Sequence, residues 1–218
     1  MGRRRASSSR WLAEHAQDAY VRRARAEGFR SRAAYKLQEL ARRERLLRPG
    51  LRVLDLGAAP GGWSQIAARG VGPRGCVVAI DLLEMAPLDG VTVLRGDVRD
   101  AAVWPQLAQA LGGPADLVMS DMAPNLSGIK DVDQAAGAEL VRIGLEAARR
   151  FLKPGGRMLI KVFAGGDLQD LTAEYRAAFE RVGTRKPDAS RDRSRELYLL
   201  ATGPVSYTHL TLPTIYSV

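Results

Sequence analysis

A single cysteine, Cys76, and two histidines in 218 residues leave too little for a disulfide or a His/Cys metal cluster. Cys76 opens the apolar run CVVAI and reads as a small core residue. No stretch approaches the roughly 18 apolar residues of a membrane span. The opening residues MGRRRASSSR lack the apolar run of a secretory signal and the apolar face of a mitochondrial transit peptide. Ala6 stands where N-myristoylation needs Ser or Thr. The expectation is a cytoplasmic protein with no metal and no membrane partner.

Acid is scarce where base is abundant. Residues 1–52 hold 15 Lys and Arg against 5 Asp and Glu, while residues 53–218 hold 18 against 19, so the excess behind the net charge of +9 lies ahead of residue 53. A basic front, made of an arm, 1–25, and the opening of a domain, 26–204, that is near-neutral from residue 53 onward, is the electrostatic footprint of a nucleic-acid partner. A solvated helix face is the blander alternative. With 46% apolar residues the chain suffices for one α/β domain with a sizeable core. The last stretch, 205–218, abandons the Arg/Ala/Leu/Gly usage of the rest for Thr, Tyr and Ser. Reverse-translated, it resembles read-through of a transposase sequencing adapter, so it is set aside from the fold.

The chain is organised around residues 53–64, VLDLGAAPGGWS. An apolar strand runs into a glycine-rich turn and then into the start of a helix. Gly57, Gly61 and Gly62 would let backbone approach a ligand, and Pro60 suits the first turn of a helix. No lysine follows Gly62, as a nucleoside triphosphate loop would require. The spacing G-x-x-x-G-G departs from the dinucleotide fingerprint, and Asp55 would repel a pyrophosphate. A ligand with an ammonium group and no phosphate fits better; S-adenosylmethionine carries an α-amino group and a sulfonium.

Strand-like runs at 51–56, CVVAIDL, VTVLRGD, ADLVMSD, RMLIKVF and ELYLLAT alternate with helical patterns. Among the latter, SRAAYKLQELARRERLL is expected to be capped by Ser31 and closed at Pro49-Gly50; others cover 101–111, 132–151 and 167–182. The alternation implies a mostly parallel sheet with helices on both faces. In such sheets ligands lie outside the carboxyl ends of the strands, where Asp81, Asp97 and Asp121 fall. Asp81 stands 24 residues after Gly57, near the offset of a ribose-binding carboxylate, and Asp97 could accept from an adenine amino group. Each taken alone could be a helix cap. Lys161 interrupts an apolar strand that would normally exclude an unpaired lysine.

The motifs SSSRW, SRAAYKL, VLDLGAAPGGWSQ, SDMAPN, IKVF and KPDASR-x-RSRE together resemble the FtsJ-type ribosomal RNA 2'-O-methyltransferases, the RlmE group in particular, over about residues 7–203. The resemblance implies a Rossmann-like methyltransferase domain with a mostly parallel seven-stranded sheet, helices on both faces and the last strand antiparallel. It also implies a uridine ribose in large-subunit ribosomal RNA as substrate, S-adenosylmethionine as cofactor, and a catalytic set of Lys36, Asp121, Lys161 and Glu196. Gly61, Trp63, Asp81, Asp97 and Asp121 match the cofactor contacts. The chain departs from the pattern at its C-terminus, where 205–218 replaces a short basic tail.

A ribose 2'-hydroxyl is a poor nucleophile and must be aligned and deprotonated. Lys161 is assigned as the general base, held short of its proton by burial and nearby cations, with Lys36 orienting the ribose and Glu196 holding the lysines. Arg3, Arg4, Arg5, Arg10, Arg22, Arg23, Arg25, Arg30 and Arg32, with Arg191, Arg193 and Arg195, are expected to contact phosphates. A base-modifying amino-methyltransferase would want an aromatic where Asn125 stands. A non-enzymatic RNA binder would keep the arm without needing Lys161 and Asp121. Within the family, transfer-RNA and cap-type ribose methylation are the nearest rivals. No long apolar helix face is left over, so a monomer is expected.

Overall fold

A computed structural model describes residues 18–125, 127–191 and 194–205. Arg3, Arg4, Arg5, Arg10, Arg193 and the tail from 206 onward lie outside the described residues. Asp18 caps α1 (Ala19–Ala26) by accepting from the Tyr20 amide at 3.0 Å. The cap orders residues expected to belong to the arm, and Val21 and Ala24 are buried beneath it.

The next helix, α2 (Ala33–Glu44), departs from expectation at both ends. Arg32 rather than Ser31 precedes it, and no side chain caps it. It stops at Arg45, which takes the left-handed conformation (φ 52°) before Pro49 is reached. The apolar spacing does hold: Ala34, Leu37, Leu40 and Ala41 form its buried face.

Seven strands follow in the order β3-β2-β1-β4-β5-β7-β6. They are β1 (Arg52–Leu56), β2 (Cys76–Asp81), β3 (Thr92–Arg95), β4 (Ala115–Ser120), β5 (Leu152–Phe163), β6 (Phe179–Arg185) and β7 (Glu196–Pro204). The helices between them are α3 (Gly62–Val71), α4 (Trp104–Leu111), α5 (Lys130–Phe151) and α6 (Leu168–Ala178). The first five strands pair in parallel, and β7 runs antiparallel to both β5 and β6. The helix expected over 167–182 ends at Ala178, and 179–185 is a strand. Val182, Gly183 and Thr184 are weak helix formers, and the open edge of β7 gives this segment a partner that no local pattern announces.

Period-two alternation divides the core between the two faces of the sheet. Leu54, Leu56, Val78, Ile80, Val118, Met158 and Ile160 pack with α4, α5 and α6. Val53, Val77, Leu117, Met119, Leu159, Tyr198 and Leu200 pack with α2 and α3. Each fully enclosed aliphatic side chain, such as Leu54 or Ile80, contributes roughly 1.5–3 kcal/mol of burial. Among the described residues, no helix is long and apolar enough to cross a membrane.

From β1 the chain builds outward through β2 and β3, then returns to place β4 on the other side of β1. This reversal opens a crevice outside the carboxyl ends of β1 and β4, where open α/β sheets bind ligands.

Candidate active site

The crevice is a cleft of about 500 Å³ lined by Gly57, Asp81, Asp97, Asp121 and the turn at 122–125. Its other charged linings are Glu139 and Arg99. Arg99 forks both oxygens of Asp97 (2.6 to 2.9 Å) and holds that carboxyl below its usual range. Four carboxylates against one tethered guanidinium suit a cationic ligand and disfavour a pyrophosphate. S-adenosylmethionine, with its sulfonium and ammonium groups, fits this donor set.

Asp81 is fixed from two sides by the amides of Ala59 (2.9 Å) and Leu83 (2.8 Å), leaving each oxygen further acceptor capacity. Asp97 stands where an adenine-binding carboxylate was expected, but its oxygens are already engaged by Arg99. Trp63 turns its indole into the core: it donates to the Ala33 carbonyl at 2.9 Å and stacks obliquely on Tyr198. What Trp63 can offer a ligand in this arrangement is backbone.

The loop glycines owe their identity to protein neighbours. A Cβ on Gly57 (φ 71°) would stand 2.1 Å from Met122, and one on Gly62 would stand 2.3 Å from the Ser31 hydroxyl. On Gly61 it would crowd Arg30 and Met85 at 3.1 Å. Pro60 precedes the cap residue Gly61 rather than opening α3. Beneath the loop, Asp55 is wholly buried and accepts from the Ser64 hydroxyl at 2.6 Å. Desolvation, opposed by that bond and reinforced by Asp121 and Asp81, pushes its carboxyl up to about 7.

Beside the cleft the four expected catalytic residues meet. Lys161 and Tyr198 are directly opposed across β5 and β7, as are Phe163 and Glu196, so all four project from one face. Lys161 Nζ donates to the backbone carbonyl of Asp121 at 2.5 Å and lies 3.3 Å from its Oδ1. Lys36, one turn into α2, pairs with Glu196 at 2.7 Å, with both side chains about nine-tenths buried. Glu196 therefore has a lysine as its partner.

Tyr198 was not singled out in the sequence. Its hydroxyl donates to Asp121 Oδ1 at 2.7 Å, and burial, with the charges of Asp121 and Glu196, pushes it well above the usual phenol range. It thus stays a donor and holds the carboxylate that faces Lys161. Its spacing of two from Glu196 in ELYLL was the available signal.

Several arginines assigned to phosphates have other partners. Arg30 donates to the carbonyls of Pro60 (3.3 Å), Ala86 (2.8 Å) and Pro87 (2.5 Å). Gln65 ties the same segment down through the Arg30 amide and the Gly28 carbonyl. Arg32 binds Asp18 and the Ala189 carbonyl, and Arg191 binds Asp18 at 3.1 Å. Arg23 pairs with Glu27, while Arg22, Arg25 and Arg195 are exposed.

Residues 29–204 match the FtsJ-like methyltransferase family. The chain is 55% identical over 198 residues to the ribosomal RNA large subunit methyltransferase E of Chromohalobacter salexigens, covering 90% of this chain and 94% of that one. To the protein of the same name from Methylobacillus flagellatus it is 50% identical over 199 residues, covering 91% and 96%. In structure it resembles a ribosomal RNA methyltransferase from Plasmodium falciparum, with a TM-score of 0.74 and 27% identity over 82% of this chain and all of that one.

Proposed function

The chain belongs to the FtsJ-like methyltransferase family, and on that premise we propose that it methylates a uridine ribose 2'-hydroxyl in large-subunit ribosomal RNA, acting as a monomer in the cytoplasm. The observation that carries the reading is Lys161 held against Asp121 at the mouth of an acidic cleft, with the pair of Lys36 on α2 and Glu196 on β7 beside it. Asp81, Asp121 and the backbone of 57–59 would hold S-adenosylmethionine, which supplies an electrophilic methyl group when bound, while Asp97, its oxygens taken by Arg99, would only line the cleft.

The protein's own task is to place the hydroxyl and take its proton. A neutral lysine amine has two N–H donors and one lone pair. Asp121 offers Lys161 two acceptors, its carbonyl and Oδ1, so the lone pair is left for the ribose hydroxyl. Tyr198 fixes the carboxylate that sets this orientation. Lys36, neutralised by Glu196, offers its remaining N–H donors to the oxygen on which negative charge develops. The proton taken by Lys161 passes to solvent once product leaves.

The test is methylation of large subunits lacking the modification, using labelled methyl donor and mass mapping of the product. One 2'-O-methyluridine is expected, and label on a base would overturn the reading. Lys161→Ala should abolish turnover with cofactor affinity largely kept; parental turnover across pH 7–9 would remove Lys161 as the base.

A further inference from the structure

A second cavity, of about 250 Å³, shares Lys161, Met122 and Pro124 with the site just described and lies between α5, the end of β5 and the start of α6. Its shape depends on Gly137, in the middle of α5. A helix-interior glycine weakens the helix, so it needs a reason. Gly144, two turns on, has one: a Cβ there would stand 2.3 Å from Ile160. Gly137 has no such neighbour. A Cβ would meet Pro124 at 3.9 Å and Phe163 at 4.0 Å, ordinary contact distances. What glycine preserves at 137 is open space between a proline and an aromatic ring.

Phe163 is 43% exposed, on the same sheet face as Lys161 and two residues along. Lys130 and Arg195 add positive charge to a lining that also holds Asp133 and Asp167, and the Gln134 amide, which donates to Asp167 at 3.4 Å, keeps its carbonyl acceptor and a second N–H donor. A ribose with its 2'-oxygen at Lys161 carries its base on the adjacent carbon, so the ring must settle within a few bonds of this point.

We propose that the slot over Gly137, between Pro124 and Phe163, receives the uracil ring of the methylated nucleotide. The inference rests on the ribose-methylation reading. The ring lies against Phe163, as exposed bases do on aromatic side chains in RNA complexes. Gln134 matches the imide edge, which alternates acceptor, donor and acceptor. Lys130 and Arg195 take the neighbouring phosphates.

Gly137→Leu fills the slot from the α5 side, where its first carbon meets Pro124 and Phe163, and replaces neither Lys161 nor any carboxylate of the cofactor cleft. Melting temperature, cofactor affinity by calorimetry, and KM and kcat on unmodified large subunits should be measured for the parent, Gly137→Leu, Gly137→Ala and Phe163→Ala. The expected result for Gly137→Leu is a melting temperature at or above the parent's, parental cofactor affinity, and an RNA KM raised tenfold or more. Phe163→Ala should raise the RNA KM by roughly tenfold, the loss of one stacked base. Parental RNA KM in a folded Gly137→Leu overturns the proposal. If that variant fails to fold, the other two decide: Gly137→Ala should melt higher yet bind RNA more weakly, and parental KM in both would overturn it. Failure of the parent to methylate a ribose would instead sink the functional reading, whatever the slot variants do.

Discussion

Replacing Asp55 with Asn should remove a pH dependence of stability that the parent carries. Asp55 sits in β1, 1% exposed, facing α3, with Ser64 as hydrogen-bond donor. Its carboxyl is raised to about 7, against about 3.9 in the unfolded chain. Between those values the unfolded chain has lost the proton and the folded chain keeps it, so the folded state binds more protons. Stability therefore falls as pH rises from about 4 to about 7 and levels off above. From pH 5 to pH 8 the loss attributable to this group is roughly 3 kcal/mol, or roughly 6–12 °C in melting temperature for a chain of this size.

Asn keeps an acceptor for Ser64 and buries an amide that does not titrate, so it adds an offset but no slope. Urea midpoints at pH 5, 6, 7 and 8 for both proteins separate the two effects. The gap between the curves should shift in favour of Asn by the stated amount as pH rises. Parallel curves would mean that Asp55 titrates alike in both states, and the argument from burial would fail.

Glu196→Gln strands Lys36 in a nearly enclosed site and should cost roughly 3 kcal/mol as well as activity; Lys36→Met/Glu196→Leu should recover most of the stability and none of the activity. Equal urea midpoints for single and double variants would mean the pair is solvated. Arg30→Ala releases three carbonyls of the loops flanking the cofactor cleft and should weaken cofactor binding about tenfold while the salt slope of RNA binding stays at the parental value. A slope reduced by about one with cofactor affinity intact would place Arg30 on a phosphate instead. Tyr198→Phe removes the donor to Asp121 and about 1 kcal/mol with it; kcat should drop about tenfold with RNA KM nearly constant, and a change confined to KM would count against an orienting role.

The parallel strands could be read in the sequence because each is a short apolar run closed by Asp or Gly, and the strand ends carrying Asp81, Asp97 and Asp121 followed directly. What eluded local pattern was decided by tertiary partners. Residues 179–185 form a strand because β7 offers an edge, although the apolar spacing continued a helix through 182. Ser31 looks like a cap, yet its hydroxyl faces Gly62, and the helix starts without side-chain help. Gly57, Gly61 and Gly62 announced a tight loop correctly, but composition could not say that Met122, Ser31, Arg30 and Met85 occupy the space beside them. Tyr198 escaped because a tyrosine in a strand is ordinary until Asp121 is brought to its hydroxyl from another strand.

The basic front of the chain illustrates why net charge overstates what is available to RNA. Within seven residues Arg30 clasps the loops at 60 and 86–87, Arg32 engages Asp18 and Ala189, the Ala33 carbonyl receives Trp63, and Lys36 meets Glu196. The segment from 30 to 36 therefore joins the glycine loop at 57–62 to β7, and much of its charge is spent on carbonyls and carboxylates of the same molecule. A guanidinium already donating to backbone carbonyls gains less from a phosphate than a solvated one, because those bonds must first be given up. Substituting Arg30 or Arg32 should consequently register first as altered cofactor geometry or stability. An RNA-binding defect in either variant identifies a phosphate contact only when cofactor affinity has been measured alongside it and found unchanged.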